Sequence, residues 1–327
     1  MKAFVVSEIG GELAMGVRDV EPSPTHDDDL LISVEYSSVN FKDAMVASSK
    51  SRVRRLDSLV AGVDAAGVVT ESNNESIPPG TRVAVHGGNL GVGRDGGFAS
   101  FVYAPSRYLS ELPSSISTFD AMVIGTAGYT AMASVLALED RGLEPGAHVL
   151  VTGATGGVGS QAVTYLSLRG FKAVASTGSP TESRWLIERG ASRVIGRREV
   201  SDRPDRVMGS ELWDGAIDCV GGETLREILR SLRYGAAVAA SGLVASAELS
   251  TSLYPFITRG VALLGIDAVE ATSLTRARVW QALGASAPLL DFTTLVDRVI
   301  PLDDLTRGLD DVRRGATRGR IVVQISQ

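Results

Sequence analysis

The chain has 327 residues, 44% of them hydrophobic and 21% charged, which is enough for about two domains with packed cores. Its formal net charge of −6 argues against a nucleic-acid partner, because nucleic-acid surfaces normally carry a basic excess. The N-terminal apolar run is too short for a signal peptide, and no uninterrupted apolar stretch approaches the roughly 20 residues of a membrane span, so we expect a cytoplasmic protein without a membrane partner.

The first third of the chain predicts β-structure. Short runs rich in Val, Ala and aromatic residues alternate with clusters of Gly, Pro, Asn and Asp; these runs are Lys2–Val6, Leu30–Tyr36, Asp64–Glu71, Thr81–Val85 and Phe101–Ala104. Closely spaced strands of this kind are typical of a barrel-like domain. The glycine-rich segment 87–97 is too long for a simple hairpin, and a substrate-covering loop is one interpretation of it.

The hydrophobic period changes near residue 117. Ser117 or Thr118 can cap a helix that begins at about Phe119, and Ala127–Asp140 predicts a second helix. Strands and helices then alternate: strands at His148–Gly153, Lys172–Thr177, Arg193–Ile195, Gly215–Val220 and Ala236–Ser241, helices at Val158–Leu168, Glu182–Arg189 and Glu223–Leu232. A further strand at Val261–Val269, helices at Leu274–Leu283 and Asp303–Arg313 and a strand at Arg320–Ile325 complete the chain. The alternation predicts βαβ units and a parallel sheet.

One glycine-rich loop joins the first of these strands to its helix. It reads Gly-Ala-Thr-Gly-Gly-Val-Gly from Gly153 to Gly159, a G-x-G-x-x-G pattern with alanine at its first position. Gly156 would let backbone N–H groups approach a pyrophosphate, and Gly159 would let the helix pack closely on the strand. We therefore predict a dinucleotide site at Thr155, Gly156, Gly157, Val158 and Gly159; a turn that uses glycine only for its geometry is the alternative.

The end of the second strand predicts which dinucleotide binds. NAD sites place an acidic residue there to hold the ribose hydroxyls. This chain has Thr177, Gly178 and Ser179 instead, which favours a 2′-phosphate, and Arg184 and Arg197 could supply positive charge. NADPH is therefore expected in preference to NADH, although a plain surface loop would have the same composition.

Several segments carry a family likeness when they are taken in order. They are Ser37–Asp43 (SSVNFKD), Gly62–Asp64 (GVD), Gly125–Met132 (GTAGYTAM), the glycine loop, Ala216–Gly221 (AIDCVG) and Arg318–Arg320 (RGR). Together they resemble the medium-chain dehydrogenase/reductase superfamily over essentially the whole chain. The branch that they resemble is the zinc-free one of quinone oxidoreductases and acryloyl-CoA reductases of the YhdH/AcuI type.

The resemblance implies an α/β protein, with a GroES-like β-barrel catalytic domain (1–124 and 290–327) and a Rossmann domain with a doubly wound parallel sheet (125–289). It implies NADPH-dependent reduction of an activated C=C bond, most closely that of acryloyl-CoA or a related enoyl thioester, by a homodimer. The positions that match the family's cofactor contacts are Phe41, Gly156–Gly159, Thr177–Ser179, Arg197 and Leu243. Phe41 stands where the family usually has Tyr, and Ser179 where it usually has a basic residue.

The resemblance also bears on the chemistry. Zinc members of the superfamily use Cys, His and Glu ligands, whereas the corresponding places here hold Asn40 and Asp64, so we expect metal-free chemistry. Such a reduction needs hydrogen-bond donors for the forming enolate and a source of a proton. Asn40 and Lys42 could each donate to the substrate carbonyl or hold the nicotinamide ribose, and a surface lysine is the alternative for Lys42. Asp43 could orient both residues or cap a helix.

Two residues at a predicted helix start, Thr126 and Tyr129, are expected to face the cofactor, although Tyr129 fits a packed aromatic equally well. Three functions stay open: an enoyl-thioester reductase, a quinone or enone reductase, and a cofactor-binding protein without turnover. The third is kept because Phe41 offers no phenolic proton donor. Two further interpretations concern the surface: CoA phosphates at Arg52, Arg54 and Arg55, and pairing of the apolar segment 261–266 across a two-fold axis.

Overall fold

The computed structural model of the protein describes residues 1–49, 51–201 and 206–325. The chain forms two compact units: Met1–Tyr129 together with Ala268–Gln327, and Thr130–Asp267. The predicted domains, 1–124 with 290–327 and 125–289, differ from these units mainly in one helix, Ser273–Ser286. The side chain of Arg276 in that helix hydrogen-bonds to His86, so the helix groups with the first unit.

The first unit is built mainly from strands. They are β1 (Lys2–Ile9), β2 (Glu12–Asp19), β3 (Asp29–Val39), β4 (Ser58–Val60), β5 (Asp64–Glu71), β6 (Arg82–His86), β7 (Phe101–Pro105) and β8 (Leu109–Glu111). A short helix, α1 (Phe41–Val46), follows β3, and a long helix, α2 (Thr118–Glu139), leads into the second unit. Alternate residues of β3, namely Leu30, Ile32 and Val34, lie in the core between the strands, as the period of two of a half-buried strand requires.

The second unit alternates strands and helices. Its elements are β9 (His148–Thr152), α3 (Gly157–Leu168), β10 (Lys172–Thr177), α4 (Ser183–Glu188), β11 (Arg193–Gly196), α5 (Arg197–Ser201), β12 (Trp213–Asp218), α6 (Gly222–Ser231), β13 (Leu232–Ala240), α7 (Tyr254–Arg259) and β14 (Ala262–Gly265). The strands form one parallel sheet in the order β11-β10-β9-β12-β13-β14. This is the strand order 3-2-1-4-5-6 of the doubly wound dinucleotide-binding fold, which confirms the predicted fold class.

The chain then returns to the first unit through α8 (Ser273–Ser286), β15 (Val296–Pro301), α9 (Leu305–Arg313) and β16 (Arg320–Gln324). Strand β16 pairs antiparallel with β3 and so completes a sheet with the order β15-β16-β3-β5-β6-β8, and β7 also pairs with β3. A second sheet has the order β2-β1-β4. Both chain ends therefore contribute to this unit, as the resemblance implied.

Helix α2 corrects the expectation that no apolar stretch of the chain approaches the length of a membrane span. Its 22 residues are long and apolar enough to cross a membrane by length and composition, with a mean hydropathy of 1.6 over 18 residues. However, 83% of that window is buried within the protein, which is typical of a core helix. Gly125 (φ 51°, ψ −164°) breaks α2 into two helical pieces, close to the predicted starts at Phe119 and Ala127.

Candidate functional site

The glycine loop of the second unit connects β9 to α3, as predicted. Gly153 has φ 59°, and a Cβ on Gly159 would lie 2.3 Å from the Gly153 carbonyl oxygen, so glycine is needed here for close packing of the helix on the loop. Gly156, the N-cap of α3, has an ordinary φ of −78°, and an added Cβ would meet only the Gly153 oxygen at 3.3 Å. Apart from this one tight contact with a backbone oxygen, the space beside Gly156 is open, whereas that beside Gly159 is filled by protein.

This loop fits a dinucleotide phosphate. The first N–H groups of a helix lack partners inside the helix and favour an anion. The hydroxyl of Ser160, in the first turn of α3, is fully buried and so does not reach this open space. Thr155, Gly157 and Val158 are half-buried around the same turn. Unused donors and open space together are what a pyrophosphate requires.

The end of β10 gathers several of the predicted 2′-phosphate residues. The Thr177 hydroxyl accepts a hydrogen bond from the Ser179 N–H at 3.0 Å. The Arg197 guanidinium, at the start of α5, lies so close to Gly178 that an added Cβ would be 2.5 Å from Nη2. The Arg184 side chain is 92% exposed and forms an ion pair with Glu188 at 3.0 Å, so its positive charge already has a counter-ion. Among the described residues, the structure thus brings the Arg197 cation to the end of β10, and the assignment of both arginines to a 2′-phosphate stays a prediction.

Leu243 lies in the loop that follows β13 and is exposed. This loop runs beside the one that follows β12: the Ala245 N–H donates to the Val220 carbonyl oxygen at 2.9 Å, and a Cβ on Gly221 would lie 3.3 Å from the Leu243 Cα. Because the carboxyl ends of parallel strands meet at one edge of the sheet, Leu243 lies at the same edge as the glycine loop.

The first unit contains a largely buried polar cluster centred on the fully buried Asp64, the first residue of β5. Its Oδ2 accepts hydrogen bonds from Ser38 Oγ and Asn40 Nδ2, each at 2.7 Å. Its Oδ1 accepts from the Thr126 hydroxyl at 2.5 Å and from the Thr126 N–H at 3.0 Å. Arg320 of β16 adds an ion pair, with Nη2 3.6 Å from Oδ2. Most partners of the Asp64 carboxylate are therefore side chains from segments that are distant in sequence.

Arg320 is also held on several sides. It donates to Asn40 Oδ1 at 3.1 Å and to Ser38 Oγ at 2.7 Å, as well as to the carbonyl oxygens of Val39 and Val123. Both polar atoms of the Asn40 amide are therefore engaged inside the protein. Gly125 is required beside this cluster, since a Cβ there would lie 2.5 Å from Asp64 Oδ2 and 2.7 Å from Arg320 Nη2.

Asp43 caps α1, one of the two roles that the sequence left open for it. Its Oδ2 accepts the Asn40 N–H at 2.8 Å, and its Oδ1 accepts the Val63 N–H at 2.9 Å. Complete burial raises the pKa of Asp43 to about 7; the Asn40 N–H opposes this rise, and the nearby charge of Asp64 adds to it. Asp43 is therefore close to half-protonated at neutral pH.

The remaining predicted residues of this segment lie on α1. Phe41, its first residue, is exposed. Lys42 is half-buried, and within the described parts of the chain no hydrogen bond or ion pair involves its ammonium group. Lys42 is thus the predicted catalytic residue whose donors are not taken up by the protein itself.

The arginines that follow α1 do not act as one group. Arg54 is buried in an ion pair with Glu8 and donates to the Val46 carbonyl oxygen at 2.7 Å. Arg52 and Arg55 are exposed. Only these two are accessible to a CoA phosphate.

The glycine-rich segment 87–97 is a compact and largely buried turn. The Asn89 carbonyl oxygen accepts the N–H groups of the three residues 92–94, at 2.9 to 3.3 Å. Cβ atoms on Gly96 and Gly97 would lie 2.3 Å from the Gly62 oxygen and 2.0 Å from the Asp64 oxygen. The structure therefore contradicts the interpretation as a substrate-covering loop, and the segment instead packs on the backbone that carries Asp64.

A second buried cluster was not found from the sequence. Arg276 of α8 lies 3.0 and 3.1 Å from the two ring nitrogens of His86 and donates to the His86 carbonyl oxygen at 3.1 Å. Burial, with the positive charge of Arg276, lowers the pKa of His86 to about 3, so its ring is neutral. Tyr129 is fully buried with its ring centroid 4.4 Å from that of His86, which fits the packed aromatic alternative. The cluster brings together residues 190 positions apart, and no local pattern marks such a pair.

The donor set of the described residues does not fit a metal ion, because no three His, Cys, Asp or Glu side chains of that set form a group that could hold one. The lone Cys219 is also unsuited to reaction, since burial raises the pKa of its thiol to about 12.

Comparison with known proteins agrees with this architecture. Residues 26–114 match the alcohol dehydrogenase GroES-like domain family, and residues 157–283 match the family described as zinc-binding dehydrogenase. YhfP of Bacillus subtilis, named as a quinone oxidoreductase, is 39% identical over 99% of this chain and 98% of its own. The acrylyl-CoA reductase AcuI of Ruegeria pomeroyi is 37% identical over 98% and 97%.

Solved structures give the same result. The yhdH oxidoreductase of Salmonella enterica, in complex with NADP, superimposes with a TM-score of 0.95 at 35% identity and full coverage of both chains. The Bacillus subtilis yhfP structure, with NAD bound, has a TM-score of 0.94 at 38% identity over 99% of each chain. Because such relatives match nearly the whole chain, the protein belongs to the medium-chain dehydrogenase/reductase superfamily of oxidoreductases, in its YhdH/AcuI branch.

Proposed function

We propose that this oxidoreductase transfers hydride from NADPH to the activated C=C bond of acryloyl-CoA or a closely related enoyl thioester, without a metal ion. The observation that carries the choice of NADPH is the Arg197 guanidinium against Gly178 at the end of β10, where NAD sites have a carboxylate. The acceptor is proposed from the name of the AcuI relative, and the NADP-bound yhdH structure supports the cofactor.

The second unit would bind the cofactor through backbone groups and one cation. The N–H groups of the first turn of α3 would hold the pyrophosphate, and Arg197 with Ser179 would hold the 2′-phosphate. When bound, NADPH supplies the hydride. The pyrophosphate would fill the space beside Gly156.

The first unit would stabilise the negative charge that develops on the thioester oxygen. Asn40 and Asp43 use their side chains to fix the start of α1, which leaves the half-buried Lys42 ammonium to donate to that oxygen. An ammonium group in this role makes a Lewis-acid metal unnecessary. Lys42 or water would then supply the proton to the α-carbon.

The acceptor is tested by steady-state oxidation of NADPH with acryloyl-CoA and, separately, with 1,4-benzoquinone. We expect a much higher kcat/KM for acryloyl-CoA, unchanged by a metal chelator. A kcat/KM no higher than that for the quinone would contradict the proposal and favour a quinone reductase, as the name of the YhfP relative suggests. Loss of activity on chelation would contradict the metal-free mechanism.

The role of Lys42 is tested with Lys42→Met. Removal of a donor to a developing oxyanion costs roughly 10²- to 10³-fold in kcat. The affinity for NADPH, followed by its fluorescence, should not change. Lys172→Met is the matched control, because Lys172 is an exposed lysine at the start of β10. Equal kcat values for the two variants would remove Lys42 from the mechanism.

We also propose that the protein is a cytoplasmic homodimer that pairs through the edge of the six-stranded sheet. Strand β14 lies at that edge, with its backbone groups open on one side. Large apolar side chains are exposed around it, at Leu253, Tyr254, Ile257 and Leu263. Such an apolar surface beside an open strand is suited to a two-fold interface.

A further inference from the structure

We infer that Asp218 is a positioning residue that fixes the cofactor-binding loops at the carboxyl edge of the six-stranded sheet. This role rests on the proposed dinucleotide site. Asp218 is the last residue of β12, it is fully buried, and none of the roles assigned above uses it.

The Asp218 carboxylate joins two strand ends. Its Oδ1 accepts the Thr152 hydroxyl at 2.5 Å, and Thr152 is the last residue of β9, directly before Gly153 of the glycine loop. Its Oδ2 accepts the Gly221 N–H at 2.8 Å, in the loop that follows β12. The Thr152 hydroxyl in turn accepts the Cys219 N–H at 3.1 Å, so the two loops are tied through both side chains.

The loop that carries Leu243 is held through the same residues. The Ser241 N–H donates to the Asp218 carbonyl oxygen at 3.0 Å. A Cβ on Gly242 would lie 2.1 Å from the Cys219 carbonyl oxygen, so this loop packs directly against the backbone after β12. Asp218 therefore sets the position of two cofactor elements that lie far apart in sequence, the glycine loop and the loop of Leu243.

The chemistry of Asp218 favours positioning over simple packing. Burial raises the pKa of Asp218, while the Thr152 hydroxyl and the N–H groups of Gly221 and Val220 lower it. No cation of the described chain forms an ion pair with this carboxylate. Burial of a charge without a counter-ion is costly, and an apolar pair at Thr152 and Asp218 would fill the space at a lower cost. The charged acceptor is useful where short, directional bonds must fix loop geometry.

The experiment compares Asp218→Asn with Glu227→Gln by fluorescence titration of NADPH and by thermal unfolding. Glu227 is a matched control, because it is an equally buried acid of the same unit, on α6, where it pairs with Arg230. Loss of a hydrogen bond to a charged group predicts a Kd for NADPH roughly 10- to 100-fold higher in Asp218→Asn. Glu227→Gln should lower the Tm and leave the Kd unchanged. A lower Tm with an unchanged Kd in Asp218→Asn would show a purely structural role.

A second pair of variants keeps the test valid if Asp218→Asn does not fold. Thr152→Val removes only the hydroxyl that bonds to Asp218, and Thr152→Ser restores it. We expect the Kd for NADPH to rise in the first variant and to return to the wild-type value in the second. Equal affinities in all three proteins would overturn the inference, whereas wild-type protein that fails to bind NADPH would overturn the proposed function instead.

Discussion

Gly156→Asp separates the stability of the fold from the binding of the cofactor. Gly156 has φ −78° and ψ 176°, which any residue adopts, and its added Cβ would meet only one atom, at 3.3 Å. The position is also the N-cap of α3, where Asp is a preferred residue and gains a few tenths of a kcal/mol over Gly. The tight contact of the added Cβ with the Gly153 backbone oxygen opposes this gain, so the variant should fold with a Tm close to that of wild type.

Binding of NADPH should nevertheless be lost. An N-cap carboxylate accepts the N–H groups of the first helical turn, which are the donors that we propose for the pyrophosphate. The new charge would also lie near a phosphate charge, and at about 4 Å with an effective dielectric constant of about 20 this repulsion is about 4 kcal/mol. That energy corresponds to an increase of roughly 1000-fold in the Kd for NADPH.

Fluorescence titration and calorimetry measure the two effects. Gly156→Ala is the matched control: it adds the Cβ without the charge, so its Kd should rise far less. If Gly156→Asp bound NADPH as well as wild type, the pyrophosphate would not lie on α3. A large fall in Tm in both variants would show that Gly156 is needed for the fold, as Gly159 is.

Three further predictions concern other parts of the molecule. Arg197→Ala should raise the Kd for NADPH roughly 10- to 100-fold and leave that for NADH unchanged; equal changes would mean that no 2′-phosphate is bound there. The pKa of Asp43 is raised from 3.8 to about 7, so the stability it contributes is full below pH 3.8 and is lost as the pH rises to 7, about 4 kcal/mol in all. His86, with its pKa lowered to about 3, has the opposite slope, but both proteins contain it, so its effect cancels in their comparison. The free energy of unfolding of Asp43→Asn in urea, relative to that of wild type, should therefore rise with pH. Parallel curves would contradict the raised pKa of Asp43. Ile257→Asp, which places a charge on a side chain that is 76% exposed beside β14, should give monomers in sedimentation velocity. Ile187→Asp, on α4 and away from β14, is the control and should leave the dimer intact; the Ile187 side chain is 50% exposed. Dimers in both variants would contradict pairing through β14.

The elements that the sequence predicted share one property: their apolar residues form either a regular period or a continuous run. Strands β9, β10 and β12 are almost wholly buried, and their continuous apolar runs made them visible. Strands β2 and β15 were not predicted. In β2 the alternating Leu13, Met15 and Val17 pack on the core but are only half-buried. In β15 most residues are half-buried or exposed. The short helices α5 and α7, of five and six residues, carry too few turns for a helical period.

The candidate site also has a part that the sequence could predict and a part that it could not. Its phosphate-binding half is local, because a strand, a glycine turn and a helix follow one another in the chain, and sequence reasoning could find it. The polar half depends on pairs such as Asn40 with Arg320, which are 280 positions apart. The motif containing Arg320 contributed to the family likeness, but only the antiparallel pairing of β16 with β3 explains why an arginine stands there.

This pairing gives a physical account of the metal-free chemistry that we propose, in a fold family whose model is described as zinc-binding dehydrogenase. The family resemblance places Asn40 and Asp64 where zinc members have ligands, and here the Asn40 amide N–H donates to Asp64 Oδ2 at 2.7 Å. The positive charge beside Asp64 comes from Arg320, whose donors also reach Asn40, so one guanidinium neutralises the carboxylate and fixes the amide. The second carboxyl group, Asp43, has a pKa of about 7, which reduces the negative charge of the cluster at neutral pH. The cluster is therefore close to electrically balanced by its own residues, and its contribution to the proposed reduction is to hold α1, and with it Lys42, in a fixed position.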